Sequence, residues 1–157
     1  MMEFVGEGIT LQLTNHAVVQ IAREVRRHRW TETGGLLIGT YSDNLHSVRV
    51  VQATGPGKYS IHAPFTFTRG VRDLQRMVER AEADGLYYVG EWHSHPGENM
   101  SPSIQDLRQM REISADSGYN CPEPVLLVVG SANPLERVSA HVFFGDKKIE
   151  LRRGEIQ

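Results

Sequence analysis

Cysteine is almost absent from this sequence of 157 residues. Cys121 is the one cysteine, so an intramolecular disulfide bond and a cysteine-rich zinc site are both excluded. The pair Cys121-Pro122 also lacks the Pro-Cys-x-x-Cys pattern of zinc-dependent nucleobase deaminases, which speaks against deaminase chemistry. We interpret Cys121 as an inert and partly buried thiol.

Long hydrophobic runs are absent as well. No stretch approaches the about 18 consecutive apolar residues that a membrane-spanning helix needs. The first residues, MMEFVGEGITLQL, lack the basic start and the continuous apolar run of a signal peptide. We therefore expect no membrane partner, and a cytoplasmic location is the default.

Charge of one sign is not in excess either. The formal net charge is -2, which provides no attraction to nucleic acid or to an anionic membrane surface. A local basic cluster consists of Arg23 and residues 26–29; we interpret it as the solvated face of a helix, with a docking patch as the alternative. The length suffices for one compact domain, so we expect a single domain over residues 1–157.

Hydrophobic periodicity predicts alternating helices and strands. Thr14 or Asn15 is the candidate N-cap of the first helix, and Ser101-Pro102 supplies an N-cap and a first helical residue for the last one. This order is typical of an α/β domain with a mixed central sheet. The predicted helices span about 15–28, 71–84 and 102–113, and the predicted strands span about 9–13, 34–41, 48–53, 65–67, 86–92, 125–129, 138–144 and 149–151.

His93 and His95 follow the predicted strand that leads to Trp92. Side chains two residues apart in an extended segment project from the same face. The two imidazoles are separated by roughly 6–7 Å at their Cα atoms, which allows them to converge on one ion. The spacing predicts a pair of metal ligands.

Asp106 lies in the first turn of the last predicted helix, three residues after Ser103 and on the same face. A carboxylate there provides a third ligand. Two neutral imidazoles and one carboxylate suit zinc, and they leave a fourth position for water. A zinc ion lowers the pKa of such a water toward about 7.

Glu32 is the candidate for general acid and base catalysis, since it precedes the glycine-framed strand Gly34–Gly39. Glycines in that strand permit close approach of another backbone or of a substrate tail. Ser103 is placed to donate a hydrogen bond to a tetrahedral oxyanion. The alternatives are a solvated loop carboxylate for Glu32 and a merely helix-initiating role for Ser103.

These residues closely resemble the signature of the JAMM (MPN+) metalloproteases. His93-Ser94-His95, seven further residues, Ser103 and then Asp106 reproduce its His-Ser/Thr-His-x7-Ser-x-x-Asp pattern, and Glu32 lies in a segment similar to the glutamate-bearing one. The resemblance covers about residues 9–150. It implies one zinc ion on His93, His95 and Asp106, acid/base catalysis by Glu32, and oxyanion stabilisation by Ser103. It also implies an α/β/α sandwich with a mixed sheet, similar to cytidine deaminase.

The compact chain resembles the prokaryotic branch of that family, since no room is left for the insertions of eukaryotic deubiquitinases. The resemblance implies cleavage after the C-terminal glycine of a ubiquitin-like or sulfur-carrier-like protein with a Gly-Gly tail, with an activating- or conjugating-enzyme-like partner encoded nearby. We expect the tail to add as a strand beside Gly34–Gly39. The alternatives are a zinc amidohydrolase for small or non-ubiquitin peptides and a non-catalytic MPN binding module.

Several other polar residues have less informative positions. Glu91 lies two residues before His93, so its side chain is expected on the same face of the strand. We interpret it as an ordinary strand residue, with a position near the metal as the alternative. Trp92 has the opposite parity and is expected in the core. We interpret His141 as a packed or surface residue, and we expect surface positions for His16, His28, His46 and His62.

Overall fold

A computed structural model describes residues 1–44, 46–56, 61–63, 66–68 and 71–155, with the backbone alone in 61–63, 66–68 and 71–74. The α/β class is confirmed. In the described part no helix has the length and apolar character to cross a membrane. The elements are β1 (Met2–Gly6), β2 (Ile9–Leu13), α1 (Asn15–Arg27), β3 (Gly34–Tyr41), β4 (Ser47–Ala53), β5 (Ile61–Ala63), β6 (Thr66–Thr68), α2 (Val71–Ala83), β7 (Tyr87–His95), α3 (Ile104–Ala115), β8 (Val125–Gly130), β9 (Val138–Phe144) and β10 (Lys147–Arg153).

Eight of the described strands form a closed barrel in the order β1-β10-β9-β8-β7-β3-β4-β2, and β5 pairs with β6 separately. The sheet is mixed, as predicted, because β7 runs parallel to β8 and β2 runs parallel to β4, whereas the other barrel pairs are antiparallel. The expected α/β/α sandwich with a cytidine-deaminase-like sheet is corrected, since the sheet closes on itself.

Closure depends on β1, which the sequence pattern did not predict. Phe4 pairs with Arg153 of β10 on one side and with Leu11 of β2 on the other. The side chain of Phe4 is 1% exposed, so β1 also contributes to the core. The glutamates and glycines in and directly after β1 obscure the alternation that marks a strand, although Met2 and Phe4 do point inward.

Two apolar clusters lie on the two faces of the sheet. Helix α1 packs into the larger one and is N-capped by Thr14, whose hydroxyl accepts a hydrogen bond from the backbone N–H of Ala17. Helices α2 and α3 pack into the other through Ala81, Met110 and Ile113. The helices therefore cover both faces and fix the strands between them.

The strand directions bring many strand ends to one rim of the barrel. The last residue of β7, His95, lies there beside Gly130 of β8. The first residue of β3, Gly34, pairs with His93 at the same rim. Helix α3 begins after the loop that follows β7, so its first turn faces this rim.

The start of α3 differs from the prediction. Ser103 is the N-cap, and Ile104 is the first helical residue, so the expected cap at Ser101 with Pro102 in the first turn is wrong by two residues. The extended piece expected at 65–67 includes Phe65, which lies outside the described residues. The predicted hairpin between β3 and β4 is confirmed.

Candidate active site

A bulge in β7 sets the direction of the side chains at the site. The register against β3 shifts at Leu37/Ile38, so Leu37 pairs with Gly90 while Ile38 pairs with Tyr88. Gly90 has φ +153°, and a Cβ atom on it would lie 2.0 Å from the carbonyl oxygen of Val125. Only glycine fits this close approach. Beyond the bulge, alternate residues of β7 project toward α3 up to the rim.

His93, His95 and Asp106 meet where β7 ends and α3 begins. His93 Nδ1 lies 2.9 Å from Asp106 Oδ1, and His95 Nε2 lies 3.3 Å from Asp106 Oδ2. The side chains are 10–14% exposed. The three residues that the sequence proposed as metal ligands are thus brought into direct contact.

Asp106 is held in place by the N-terminus of α3. The Ser103 hydroxyl accepts a hydrogen bond from the Asp106 backbone N–H at 3.0 Å, and Asp106 Oδ2 accepts one from the Ser103 backbone N–H at 2.8 Å. This reciprocal pair is a capping box. Burial opposes ionisation of Asp106, but the hydrogen bonds from His93, His95 and Ser103 outweigh it and hold the pKa of Asp106 well below its usual range.

The Asp106 carboxylate also changes the electrostatics of His95. Its hydrogen bond to His95 raises the pKa of that imidazole, against the opposing effect of burial. On its other side, His95 Nδ1 lies 3.3 Å from the carbonyl oxygen of Asn99. The ring is therefore oriented from both of its nitrogen atoms.

Glu32 reaches the same place from the segment before β3. Its Oε1 lies 4.0 Å from His95 Nε2. The next residue, Thr33, is fixed by hydrogen bonds to Ser94 of β7: its N–H donates to Ser94 Oγ at 2.9 Å, and its carbonyl oxygen accepts the Ser94 N–H at 2.8 Å. Burial raises the pKa of the Glu32 carboxyl, although His95 acts in the opposite direction.

Glu91 belongs to the site, and its interpretation as an ordinary strand residue is wrong. Its side chain is completely buried. Oε2 lies 3.4 Å from His93 Nε2, and Oε1 accepts a hydrogen bond from the Tyr88 hydroxyl at 3.2 Å. The shared parity with His93 was the available signal, but parity does not reveal burial.

The donor set fits a divalent metal ion in chemistry and in proximity. In a tetrahedral site with ligand bonds of about 2.0 Å, neighbouring donor atoms are about 3.3 Å apart, close to the 2.9 and 3.3 Å that separate the carboxylate oxygens of Asp106 from the two imidazoles. The side chains nevertheless contact one another directly, and among the described residues no group of three such side chains already surrounds a common metal position.

The remaining expectations have mixed outcomes. Trp92 is buried and donates from Nε1 to the carbonyl oxygen of Thr54 at 2.9 Å, away from the site. Cys121 is fully buried rather than partly so. His141 is a packed residue, 2% exposed. His16 and His46 lie at the surface, His28 is partly exposed beside Glu24, and the side chain of His62 is outside the described residues.

The expected addition of a substrate strand beside Gly34–Gly39 is wrong. That segment pairs with β7 on one side, and its other side is occupied by β4 from Leu37 onward and by Thr54 before it. A Cβ atom on Gly35 would lie 2.0 Å from the Thr54 carbonyl oxygen. The glycine therefore accommodates the chain's own backbone.

Comparison with known proteins agrees with this geometry. Residues 14–141 match the family of prokaryotic homologs of the JAB domain. A protein of Enterobacter hormaechei named CD-NTase/cGAS isopeptidase is 40% identical over 129 residues, which cover 81% of this chain and 72% of that protein. A probable metalloprotease of Sinorhizobium fredii is 30% identical over 112 residues, covering 64% of this chain and 65% of the relative.

The fold has a counterpart among solved structures. The solution structure of a protein from Desulfitobacterium hafniense superposes with a TM-score of 0.67 and 21% identity, covering 94% of this chain and 91% of the other. At that identity the similarity concerns the fold. Taken with the family match and the two relatives, it leads to one conclusion: the chain belongs to the prokaryotic JAB branch of the JAMM/MPN+ family and is a hydrolytic metallopeptidase.

Proposed function

We propose that this protein is a zinc-dependent peptidase or isopeptidase that cleaves after the C-terminal glycine of a ubiquitin-like protein or of its conjugates. In this proposal His93, His95 and Asp106 hold the zinc ion, Glu32 transfers protons and Ser103 stabilises the oxyanion. The main support for this proposal is that the side chain of Glu32, the imidazoles of His93 and His95 and the carboxylate of Asp106 lie close together at the rim of the barrel.

The metal and Glu32 have separate tasks. When bound, zinc supplies Lewis-acid chemistry, which polarises an amide carbonyl and makes water acidic near neutral pH. Glu32 takes a proton from the attacking water and delivers it to the amine leaving group. Burial raises the pKa of the Glu32 carboxyl, which makes its carboxylate a stronger base toward the attacking water.

Ser103 can serve the helix and the reaction together. Its oxygen accepts the Asp106 N–H, so the hydroxyl hydrogen remains to be donated to a developing oxyanion. The rigid N-terminus of α3 fixes that hydroxyl relative to Asp106. Preorganised donors of this kind are worth about 3–4 kcal/mol of transition-state stabilisation.

Two exposed apolar residues that lie close to proposed site residues in the sequence favour a protein substrate over a small amide. Trp30 is 81% exposed and lies two residues before Glu32; Ile104 is 79% exposed and directly follows Ser103. Large apolar side chains exposed at a functional site are typical of protein contacts. The name isopeptidase, given to the relative with 40% identity, supports a protein conjugate as the substrate.

The proposed partner is a ubiquitin-like or sulfur-carrier-like protein with a Gly-Gly tail, supplied by an activating- or conjugating-enzyme-like protein. Since β3 is paired along both edges, the tail enters across the strand ends at the rim. Glycine residues at its end suit this approach, because they bring the scissile amide close to Glu32 and Ser103 without side-chain obstruction.

The test is a fusion in which a ubiquitin-like protein ending in Gly-Gly precedes a reporter peptide. The zinc-loaded enzyme is expected to cut immediately after the diglycine, as read by intact mass, and His95→Ala is expected to leave the fusion uncut. Trp30→Ala is expected to raise KM for the fusion about tenfold and to leave the turnover of a short peptide amide unchanged.

Other outcomes contradict the proposal in distinguishable ways. If short amides are hydrolysed as efficiently as several such fusions, the enzyme is a small-substrate amidohydrolase. If fusions bind but remain intact at saturating zinc, the chain is a binding module.

A further inference from the structure

Glu91 is a buried acidic residue in an apolar layer. Its side chain is 0% exposed. It pairs in register with Leu36 of β3 and with Leu126 of β8, both members of the apolar cluster against α3. Burying a carboxylate is unfavourable unless it is hydrogen-bonded or paired. Packing alone would be served by a third leucine here, so the carboxylate needs another explanation.

The β7 bulge brings Glu91 into contact with Tyr88 and His93. It places Tyr88, three residues earlier, on the same face of the strand, and the Tyr88 hydroxyl donates to Glu91 Oε1 at 3.2 Å. The other oxygen, Oε2, faces His93 Nε2 at 3.4 Å. Tyr88 fixes one oxygen, and the second is directed at the imidazole.

His93 therefore lies between two carboxylates. Its Nδ1 faces Asp106 Oδ1 at 2.9 Å, and its Nε2 faces Glu91 Oε2. An imidazole nitrogen that binds a metal carries no hydrogen, so the opposite nitrogen must carry one and needs an acceptor. A carboxylate behind a metal-binding histidine fixes both the tautomer and the ring orientation.

We propose that Glu91 is a positioning residue for the metal site: it accepts the hydrogen of the His93 nitrogen that faces away from the metal and fixes the ring so that the other nitrogen is presented beside Asp106. Glu91 is not a ligand in this assignment, and Tyr88 in turn orients Glu91. The inference rests on the proposed metal site and extends it by one residue that the family-like motif does not include.

The experiment measures metal affinity rather than turnover. Wild-type protein, Glu91→Gln, Glu91→Leu and His93→Ala are stripped of metal, and zinc affinity is measured by competition with a chromophoric chelator. Glu91→Leu is expected to bind zinc about 10–100-fold more weakly, the range typical of removing such an acceptor. Glu91→Gln keeps an amide oxygen as acceptor, so its loss is expected to be smaller.

A matched control separates positioning from general packing. Leu126→Val alters the register neighbour of Glu91 in the same layer, and it is expected to keep zinc affinity within about twofold of wild type. Metal-free Glu91→Leu is expected to melt within about 5 °C of metal-free wild type, since a leucine suits this layer.

The outcomes distinguish this inference from the proposed function. If His93→Ala abolishes zinc binding while Glu91→Leu binds as tightly as wild type, the role of Glu91 is refuted and the metal site stands. If Glu91→Leu loses affinity only through a large fall in metal-free melting temperature, Glu91 is a structural residue. If wild-type protein binds no zinc, both the function and this inference are wrong.

Discussion

At the residue scale, both carboxylate oxygens of Asp106 are already engaged. Oδ1 faces His93, while Oδ2 faces His95 and accepts the Ser103 backbone N–H. A side chain constrained in this way loses little conformational freedom when a metal binds. Glu32 Oε1 lies farther from His95 Nε2, at 4.0 Å, in agreement with the proton-transfer role proposed for Glu32.

Glu32→Gln tests this division of tasks. The amide keeps the size of the side chain but has no basic oxygen of comparable strength, so kcat is expected to fall at least about 100-fold while zinc content stays at one ion. Metal content and initial rates measured on the same preparation provide the check. Glu112→Gln, an exposed change on α3, serves as the control, and near-normal turnover by Glu32→Gln would remove Glu32 from its role.

The alternation of side chains along a strand was sufficient to predict that His93 and His95 share one face. It also predicted that Trp92 points to the opposite face. The position of Glu91 was only half predictable for the same reason. Its contact with Tyr88 requires the bulge at Gly90, where the backbone of Val125 approaches. That approach is made by a strand more than 30 residues later, so no local pattern contains it.

At the element scale, the sequence before α3 contains two competing signals for the start of the helix, and the prediction followed the wrong one. Ser103-x-x-Asp106 is the spacing of a capping box, yet Ser101-Pro102 satisfies the preference for an N-cap followed by proline equally well. The structure selects Ser103. The reciprocal bonds between Ser103 and Asp106, together with the contacts of Asp106 to both histidines, stabilise the later start.

Two substitutions at Ser103 separate its helical role from its proposed catalytic one. Ser103→Ala and Ser103→Gly both remove the hydroxyl, and both are expected to lower kcat by about 100–1000-fold. Glycine is a tolerated N-cap and alanine is not, so Ser103→Ala is expected to lose about 1 kcal/mol of unfolding free energy and Ser103→Gly only a few tenths.

Urea unfolding and steady-state rates of the two Ser103 variants decide the matter. Rates that follow stability, with the glycine variant nearly as active as wild type, would mean that Ser103 acts only through the helix.

At the scale of the whole molecule, a hydrogen bond joins the loop that precedes α3 to strand β9. The Ser139 hydroxyl on β9 donates to the carbonyl oxygen of Met100, in the loop before α3, at 2.6 Å. Because the hydroxyl hydrogen of Ser139 is used in that bond, Ser139 Oγ accepts a hydrogen bond from His141 Nε2 at 3.0 Å. His141 Nδ1 is buried and has no hydrogen-bond partner among the described residues, so His141 is held in its neutral form.

His141 is expected to make stability depend on pH. Burial, assisted by Lys148, lowers the pKa of His141 from 6.5 to about 4. The unfolded chain takes up the proton near pH 6.5 and the folded chain only near pH 4. The stability that the protein gains by keeping His141 neutral is therefore fully present above pH 6.5 and is lost as the pH falls to about 4. The loss in the free energy of unfolding totals about 3 kcal/mol.

Because other groups titrate in the same interval, the measurement is a difference between variants. The unfolding free energy of wild type is expected to fall between pH 7 and pH 4 by about 3 kcal/mol more than that of His141→Gln. Equal losses in the two proteins would show that His141 is not the group responsible.

Closure of the barrel could not be predicted from the sequence. Helices and most strands follow from local periodicity, but the choice between an open layer and a ring depends on whether β1 bridges β10 and β2. The pairing of β1 with β10 joins residues about 150 positions apart and gives no periodic signal. The resemblance to a sandwich-type family therefore predicted the class of fold and missed its closure.

The placement of β1 and β10 has a practical consequence for anyone who handles this enzyme. Met2 and Arg153 lie at the same rim as His95, because β1 runs antiparallel to β10 and the register returns each strand to that end. An affinity tag or fluorescent label joined before Met2 or after Arg153 therefore emerges at the same rim as the proposed metal site. Purification handles are better inserted at the opposite pole, in the turn between β9 and β10.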